Sequence, residues 1–488
     1  MKRKYLSAAV AFTLISSLYA DDTLTKQALK TNYQLIYNRP QKSVESFSKM
    51  FSEGEFYGRL RSNSFYFSWA NEDDKHSTNL ATALGGSFVY KSATFGGFDF
   101  TTALYASQSF FDENQDPVAH LKPAKDTLSR FDYINTGSKA MAVFGQAYLR
   151  YSAIEKSEII LGRQIVETFY TKSNDSKMIP NTFDGIVLNT KALKDTKISF
   201  AYLAKEKLRD HTQSHSVLMY GDENSSSSLK PNWSENDDSA MHRGLTYSAL
   251  KAASKPTDSP LIVAELHNKS IKNLKLDFSS YIVPELLSQA MLEANYRFNF
   301  DNFSITPAIR YIRQFDNGAG EVGGASYTGD STGYSDKDSL DSQMIAAKIV
   351  AKINNYKINL GYTNILDEAD LITPWRGFPT AGYTRSMGVY NWRANTQSYR
   401  IELKYNSNKT LIYKDLFIQS SILYIDADED KTGYHNKDKI NYYLGFVQNI
   451  PSLIDLQWRL RLGYAQFLDS EDSDFNYLDS RFELNYLF

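Results

Sequence analysis

Arginines recur at every second residue in several stretches, each set against apolar neighbours. Arg459 and Arg461 alternate with Trp458, Leu460 and Leu462. Arg400, Glu402 and Lys404 alternate with Tyr399, Ile401, Leu403 and Tyr405. Arg59 shares a face with Arg61, Glu293 and Asn295 with Arg297, and Lys348 with Lys352, while Arg310 stands opposite Ile309 and Tyr311. A guanidinium stays charged at any biological pH and offers forked donors that fit a carboxylate. A column of them along a water-filled space would hand an anionic group from one to the next. The other use of such residues is to pair with acids such as Glu293, Glu402 and Glu483 and hold a wall together. Neither use is bond making.

The residues that invite catalysis are fewer. His211 and His215 lie near Asp210 and several serines, but in a polar stretch without the G-x-S-x-G turn that strains a nucleophilic serine. Two histidines four apart on a loop, with no third ligand, are a poor zinc site. No enzyme activity, metal or cofactor is expected.

The charged faces need strands to carry them. Over Tyr477 to Phe488, Leu478, Ser480, Phe482, Leu484, Tyr486 and Phe488 share one face, and Tyr477, Asp479, Arg481, Glu483 and Asn485 the other. That period of two is a strand with one greasy and one wet side. Similar segments recur at 56–70, 79–92, 96–109, 139–153, 156–166, 182–190, 194–206, 258–268, 271–283, 288–300, 302–315, 341–353, 356–365, 395–408, 411–427, 438–450, 453–468 and 476–488. Most approach the 9–11 residues a tilted strand needs to cross a bilayer. The joins sort by parity: 110–138, 167–181, 207–257, 316–340 and 366–394 are long, whereas 154–155, 269–270, 354–355, 409–410 and 451–452 are short. A soluble sandwich has no reason to do this; an outer-membrane barrel has short periplasmic turns and long external loops. The predicted fold is all-β, a transmembrane antiparallel up-and-down barrel of about 18 strands over residues 55–488. Charges on its lipid face would cost roughly 2–4 kcal/mol each near the midplane, so Arg59, Arg61, Arg297, Arg310, Arg400, Arg459 and Arg461 are expected to line the lumen.

Composition agrees. The 488 residues include 34 Tyr and 29 Phe but no cysteine, and no apolar run in the mature chain reaches the length of a membrane helix. Met1–Ala20 reads as a secretory signal, with Lys2, Arg3 and Lys4 ahead of an apolar core and small Ala20 at the cleavage edge. Without Lys2, Arg3 and Lys4 the 54 basic residues fall to 51 against 56 acidic ones, a net of −5 that argues against nucleic acid as a partner. Residues 21–54 read as a periplasmic or lumenal segment, loosely helical over Thr23–Tyr37 and amphipathic over Ser43–Phe51.

Eighteen strands enclose a channel too wide to select by itself, so something must fold inward. The first candidate is the join after the fifth strand, 167–181, where Lys172, Asp175, Ser176, Lys177, Met178 and Pro180 form the constriction set. The second is 366–394, with Trp375, Arg376, Tyr383, Arg385, Trp392 and Arg393 near an entrance.

Leu161–Val166 (LGRQIV), followed by Asn174–Gly185 (NDSKMIPNTFDG), resembles the OprD-like outer-membrane porins, most of all the branch in epsilon-proteobacterial genomes. Thr78–Gly86 (TNLATALGG), Ala201–Lys207 (AYLAKEK) and the Phe488 ending agree, so the resemblance spans most of the chain from about Gly58. It implies an eighteen-stranded monomer or loose homo-trimer in outer-membrane lipid. It further implies a lumen narrowed by the third and seventh external loops and a basic ladder favouring small hydrophilic, carboxylate-bearing solutes. The terminal strand, with Phe482, Leu484, Tyr486 and Phe488, would be read by the barrel-assembly machinery. Two departures stand out: the long 21–54 segment, and a Ser- and Asp-rich loop at 207–257 without a recognisable motif. The competing functions are an adhesin or structural barrel with a closed lumen and, behind it, a barrel-borne hydrolase.

Overall fold

Alternation gives each segment two different faces, and a bilayer leaves its backbone only one way to satisfy its polar groups: pairing with a neighbouring strand until no edge remains. The structure is a computed structural model that describes residues 27–29, 35–37, 41–73, 77–112, 124–218, 241–407, 416–450 and 452–488. Among these residues eighteen long strands close into one antiparallel barrel. They are β1 (Glu55–Trp69), β2 (Asn79–Lys91), β3 (Phe98–Phe111), β4 (Ala140–Tyr151), β5 (Ser157–Gln164), β6 (Thr182–Thr190), β7 (Thr196–Lys207), β8 (Leu261–Asn268) and β9 (Leu274–Val283). The ring continues with β10 (Leu287–Tyr296), β11 (Phe303–Asp316), β12 (Ser342–Ile353), β13 (Tyr356–Ile365), β14 (Thr396–Asn406), β15 (Phe417–Asp426), β16 (Lys439–Ile450), β17 (Leu453–Phe467) and β18 (Tyr477–Leu487).

β18 pairs back onto β1, from Tyr477 opposite Trp69 to Leu487 opposite Arg59. Phe488 then exchanges backbone hydrogen bonds with Gly58, at 2.9 and 3.2 Å. Removing Tyr486–Phe488 deletes this end of the seam. It is expected to lower the yield of heat-modifiable barrel on gels before any change in transport through the barrels that do form.

The joins sort by parity as expected. The described parts of the long joins 112–139 (L2), 165–181 (L3), 208–260 (L4), 317–341 (L6) and 366–395 (L7) lie at one end, and tight turns at the other. The turn at Asn354–Asn355 uses a left-handed residue, Asn354 with φ 50°, a conformation Asn tolerates well. One turn differs: β15 starts at Phe417 rather than at 411, so the join runs from 407 to 416, and residues 408–415 lie outside the described ones.

Outward side chains are apolar and exposed, as at Leu84, Leu104, Leu292, Ile309, Leu360 and Ile401. A belt of this extent belongs against lipid, since soluble monomers rarely expose apolar patches beyond a few hundred Å². Aromatic pairs mark both rims, with Tyr356 against Tyr405 (5.1 Å between centroids) at the turn end and Tyr362 against Tyr399 (5.0 Å) toward the loops. Phe482 and Tyr486 are exposed, while Glu483 and Asn485 are buried inward, so the last strand keeps the predicted alternation.

The N-terminal region departs from expectation. Gln27–Leu29 pairs antiparallel with Leu35–Tyr37, so the described residues of the loosely helical 23–37 stretch are extended. The amphipathic stretch does fold as a short helix, α1 (Phe47–Ser52), capped by Ser46. The expected signal at 1–20 lies outside the described residues, as do 21–26, 30–34 and 38–40.

Candidate functional site

Inward-facing positions of β17, β18 and β1 carry a run of arginines fixed by the strand register. Arg461 lies opposite Arg481, Arg459 opposite Glu483, and Asn485 opposite Arg61, with Arg59 two residues further toward the turn end. Two residues along a strand are about 7 Å, so the guanidiniums form a column down one side of the lumen.

The column is built around two carboxylates. Asp175, from L3, receives Arg59 Nη2 at 2.7 Å and Arg61 Nη1 at 2.6 Å. Glu483 receives Arg61 Nη2 at 2.6 Å and stands 3.8 Å from Arg459 and 4.0 Å from Arg461. Four guanidiniums therefore face two carboxylates, and the cluster keeps an excess of positive charge. Arg59 and Arg459 are each only 1% exposed, so the loops lie over the column.

L3 is held in place along its whole length. Its stems are clamped by Arg163, whose Nε and Nη2 reach Asp184 at 2.7 and 2.9 Å. Gly162, at φ 121°, lies beside the backbone of β4, where a side chain would meet the Ala147 carbonyl. These are the residues of the LGRQ and FDG motifs, so the motif encodes the loop's base. Farther along, Met178 and Ile179 pack with Tyr57, Val89, Tyr105 and Val143 on the lumen side of β1–β4. Burial pushes the Lys177 ammonium well below the usual lysine range; Arg481 adds to this and Asp126 opposes it. Lys172, in contrast, is half-exposed beside Glu167, 3.5 Å away.

L7 enters from the opposite side and locks to L3. Thr171 and Arg376 form a β-bridge, Lys172 N–H donates to the Trp375 carbonyl (3.0 Å), and Gly377 N–H donates to that of Tyr170 (3.0 Å). Further on, Ser386 donates to Asn441 of β16 at 2.5 Å, and Met387 Sδ lies 4.0 Å from Arg461. Arg385 sits among Phe378, Trp392 and Tyr390, at 4.4, 5.5 and 5.6 Å from the ring centroids. Its Nε and Nη1 have no hydrogen-bond partner among the described residues. Burial pushes this guanidinium down to about 10, and the nearby Arg481 and Arg400 push in the same direction.

The opposite half of the lumen is filled. Inward side chains of β6–β13 merge with Tyr170 of L3, Val217 and Leu245 of L4, Leu340 of L6, and Leu371 and Trp375 of L7 in one apolar core. Trp375 Nε1 donates to the Val217 carbonyl at 3.1 Å.

The predicted basic residues thus divide. Arg59, Arg61, Arg459 and Arg461 come together. Arg400 lies inward on β14 against Glu402 and Ser421. Arg310 is taken up by the loops: it pairs with Glu293 (2.6 Å), donates to the Pro379 and Ala381 carbonyls (2.6 and 3.0 Å) and lies over Phe169 and Tyr383. Arg297 is exposed just beyond the end of β10, at the turn rim, where pairing with β9 stops at Tyr296. Trp392 and Arg393 are buried in L7, and Arg393 stands 3.4 Å from Asp370.

Sequence reasoning missed the clasp of L2 with L3 and L4. Asp126 meets Arg209 at 2.5 Å and Lys177 at 3.9 Å, and Arg130 meets Asp210 at 2.8 Å. The residues of the hydrolase reading are bound up here: Asp210 with Arg130, and His211 edge-on to His215 at 4.6 Å. Among the described residues no three His, Cys, Asp or Glu side chains converge as a metal would need.

L4 and L6 meet through His242. Gly244 N–H donates to Nδ1 at 3.0 Å, so the ring proton sits on Nε2 and donates to the Gly324 carbonyl at 3.0 Å. Burial pushes this histidine down from 6.5 to about 4, with Asp370 and the Gly324 carbonyl opposing. Because the folded value is the lower one, the junction is fully stable above pH 6.5 and loses stability as pH falls toward 4, by roughly 3 kcal/mol in all. Hydrogen exchange in 241–245 and 323–326 is expected to rise over that range, and to lose this pH dependence in His242→Gln.

No family model matches the chain, and no curated protein matches it in sequence. Solved structures do match the whole barrel. OccK9 (OpdG) of Pseudomonas aeruginosa aligns with a TM-score of 0.67 at 12% identity, over 90% of this chain and 99% of that one. OccAB2 of Acinetobacter baumannii gives 0.66 at 15%, over 90% and 99%. OpdK of Pseudomonas aeruginosa, solved with vanillate, gives 0.64 at 12%, over 89% and 98%. These neighbours are OprD/Occ-family porins. At such identities the likeness is one of architecture: this chain has the eighteen-stranded barrel fold that those porins have.

Proposed function

We propose that the chain is an outer-membrane porin that gives small hydrophilic solutes passive, diffusive passage and favours those bearing a carboxylate. The carrying observation is the arginine column of β17, β18 and β1, with four guanidiniums around two carboxylates, set opposite a packed half-lumen. Net positive charge in a low-dielectric passage raises the local concentration of anions. The fold neighbours support the porin reading, and OpdK with vanillate, an aromatic carboxylate, is in keeping with the preference. Because the column is covered, passage requires the tip of L3 to yield.

In this reading the turn end is periplasmic and the long loops face outward. Residues 1–20 direct export, and the terminal strand from Phe482 to Phe488 is recognised during assembly. The channel works as a monomer or a loose trimer, and its place near the epsilon-proteobacterial branch rests on the SKMIPN stretch.

The test is conductance in planar bilayers, followed by flux of amino acids, dicarboxylates and sugars into proteoliposomes. Dicarboxylates are expected to pass faster than sugars of similar size. A folded, heat-modifiable preparation that never conducts would leave the structural-barrel reading instead, to which the extensive loop packing would then belong.

A further inference from the structure

The segment ahead of β1 crosses the turn rim of the barrel. Gln41 begins on the lumen side: its Nε2 donates to Asp99 (3.3 Å) and to the Ser92 carbonyl (2.9 Å), and Arg150 donates to its Oε1. Asp99 shares the inward face of β3 with Ala103 and Tyr105. Ser43–Val44 then pairs in parallel with Thr94–Phe95 at the β2–β3 turn. Next comes α1, which sits on the outside. Met50 is buried there, and the Ala93 N–H donates to its carbonyl at 2.9 Å. Phe51 packs on Phe100, 5.5 Å between centroids, and Tyr90 OH donates to the Phe51 carbonyl at 2.7 Å.

The helix is amphipathic in the sense that matters at a bilayer surface. Phe47, Met50 and Phe51 lie on one side, Ser48, Lys49 and Ser52 on the other. Yet the apolar side is only partly covered, with Phe47 62% and Phe51 46% exposed. Two exposed phenylalanines on a six-residue helix are costly in water. They also continue an existing surface. Phe51 touches Phe100, Phe100 lies 5.4 Å from Tyr90, and Tyr90 lies 4.6 Å from Phe56, which faces outward on β1. The aromatic belt at the turn rim therefore runs without a break onto α1.

We propose that α1 is an interfacial anchor, seated among the phospholipid headgroups of the leaflet at the turn end, with Phe47 and Phe51 turned into the acyl boundary and Lys49 into water. A helix with such a face lies in the interface plane and gains from each apolar side chain it buries there. The anchor pins the chain between Gln41 at the lumen mouth and the start of β1. This rests on the membrane reading of the barrel.

The chain has no cysteine, so single labels can be placed without background. Phe47→Cys, Phe51→Cys, Ser48→Cys and Ser52→Cys, with Phe56→Cys as a reference on the wall, are to be nitroxide-labelled in the full mature chain. Each is then reconstituted in phosphatidylethanolamine–phosphatidylcholine vesicles and checked for heat-modifiability. Collision with oxygen reports lipid, and collision with a soluble nickel chelate reports water. Labels at 47, 51 and 56 are expected to shift toward oxygen, and those at 48 and 52 toward nickel. If 56 reads lipid while 47 and 51 read water, α1 is no anchor. If 47 and 51 are shielded from both reagents, a second copy of the chain covers the helix and the proposal also fails. If 56 itself reads water, the membrane reading falls with it.

Discussion

Replacing both Arg459 and Arg461 with glutamate is expected to reverse the ion preference of the channel. In the native cluster four guanidiniums face Asp175 and Glu483; in the double variant Arg59 and Arg61 would face four carboxylates. At an effective dielectric of about 20, a unit charge acts on an ion ~10 Å away by roughly 1.7 kcal/mol, so a swing of several charges outweighs thermal energy many times. The reversal potential under a salt gradient should change sign, and dicarboxylate flux should fall at least tenfold. Arg459→Gln with Arg461→Gln should lie between. Both variants must retain heat-modifiability, since Glu483 would lose partners that hold it. An unchanged reversal potential in a folded variant would remove these residues from the pathway.

The second large effect is expected at Asp175. Its carboxylate is the only L3 group bridging Arg59 and Arg61 among the ion pairs described for that loop, and both guanidiniums are buried. Removing one side of a buried pair typically costs about 3–5 kcal/mol, because the remaining charge is left without compensation. Here the strain can be relieved by the loop moving away and admitting water and anions to the column. Asp175→Ala should therefore raise single-channel conductance several-fold and shift selectivity further toward anions. Deleting 170–180 should raise conductance more, but it also removes the bridge to L7 at Thr171. A variant with native conductance would place the narrowest point elsewhere, with L7 the next candidate.

These expectations show which parts of the molecule sequence can carry. The strands were legible because lipid enforces alternation along the strand: outward positions are mostly apolar, and the pattern of Ile401, Leu403 and Tyr405 against Arg400, Glu402 and Lys404 is read directly. The closing strand and the parity of the joins follow from the same constraint. Errors fell where alternation continues past the hydrogen bonds that use it. Tyr296 and Phe298 extend the outward pattern of β10, but pairing with β9 ends at Tyr296 and puts Arg297 at the turn rim, outside the column. The partners of the loops were not legible. Asp175 lies 116 residues from Arg59 and 114 from Arg61 in the chain. Loops have no periodicity to predict which wall they will meet. The LGRQ and FDG residues, read in the sequence only as a family resemblance, form the base of L3, whereas the clasp of Asp126, Arg209, Arg130 and Asp210 carries no comparable local signal.

The division of the lumen has a consequence for how such channels diversify. One half is an interlocked apolar core, in which a change of a single methylene is felt by many neighbours. The other half is a wall of β14 to β18 and β1 whose charges touch mainly each other and two loop segments. Mutational drift should then be unequal around the circumference. The packed half acts as a keel that tolerates little, and the charged half can change where a guanidinium and its carboxylate change together, so that no buried charge is left alone. A lineage could retune which solute passes by a handful of substitutions on four or five strands.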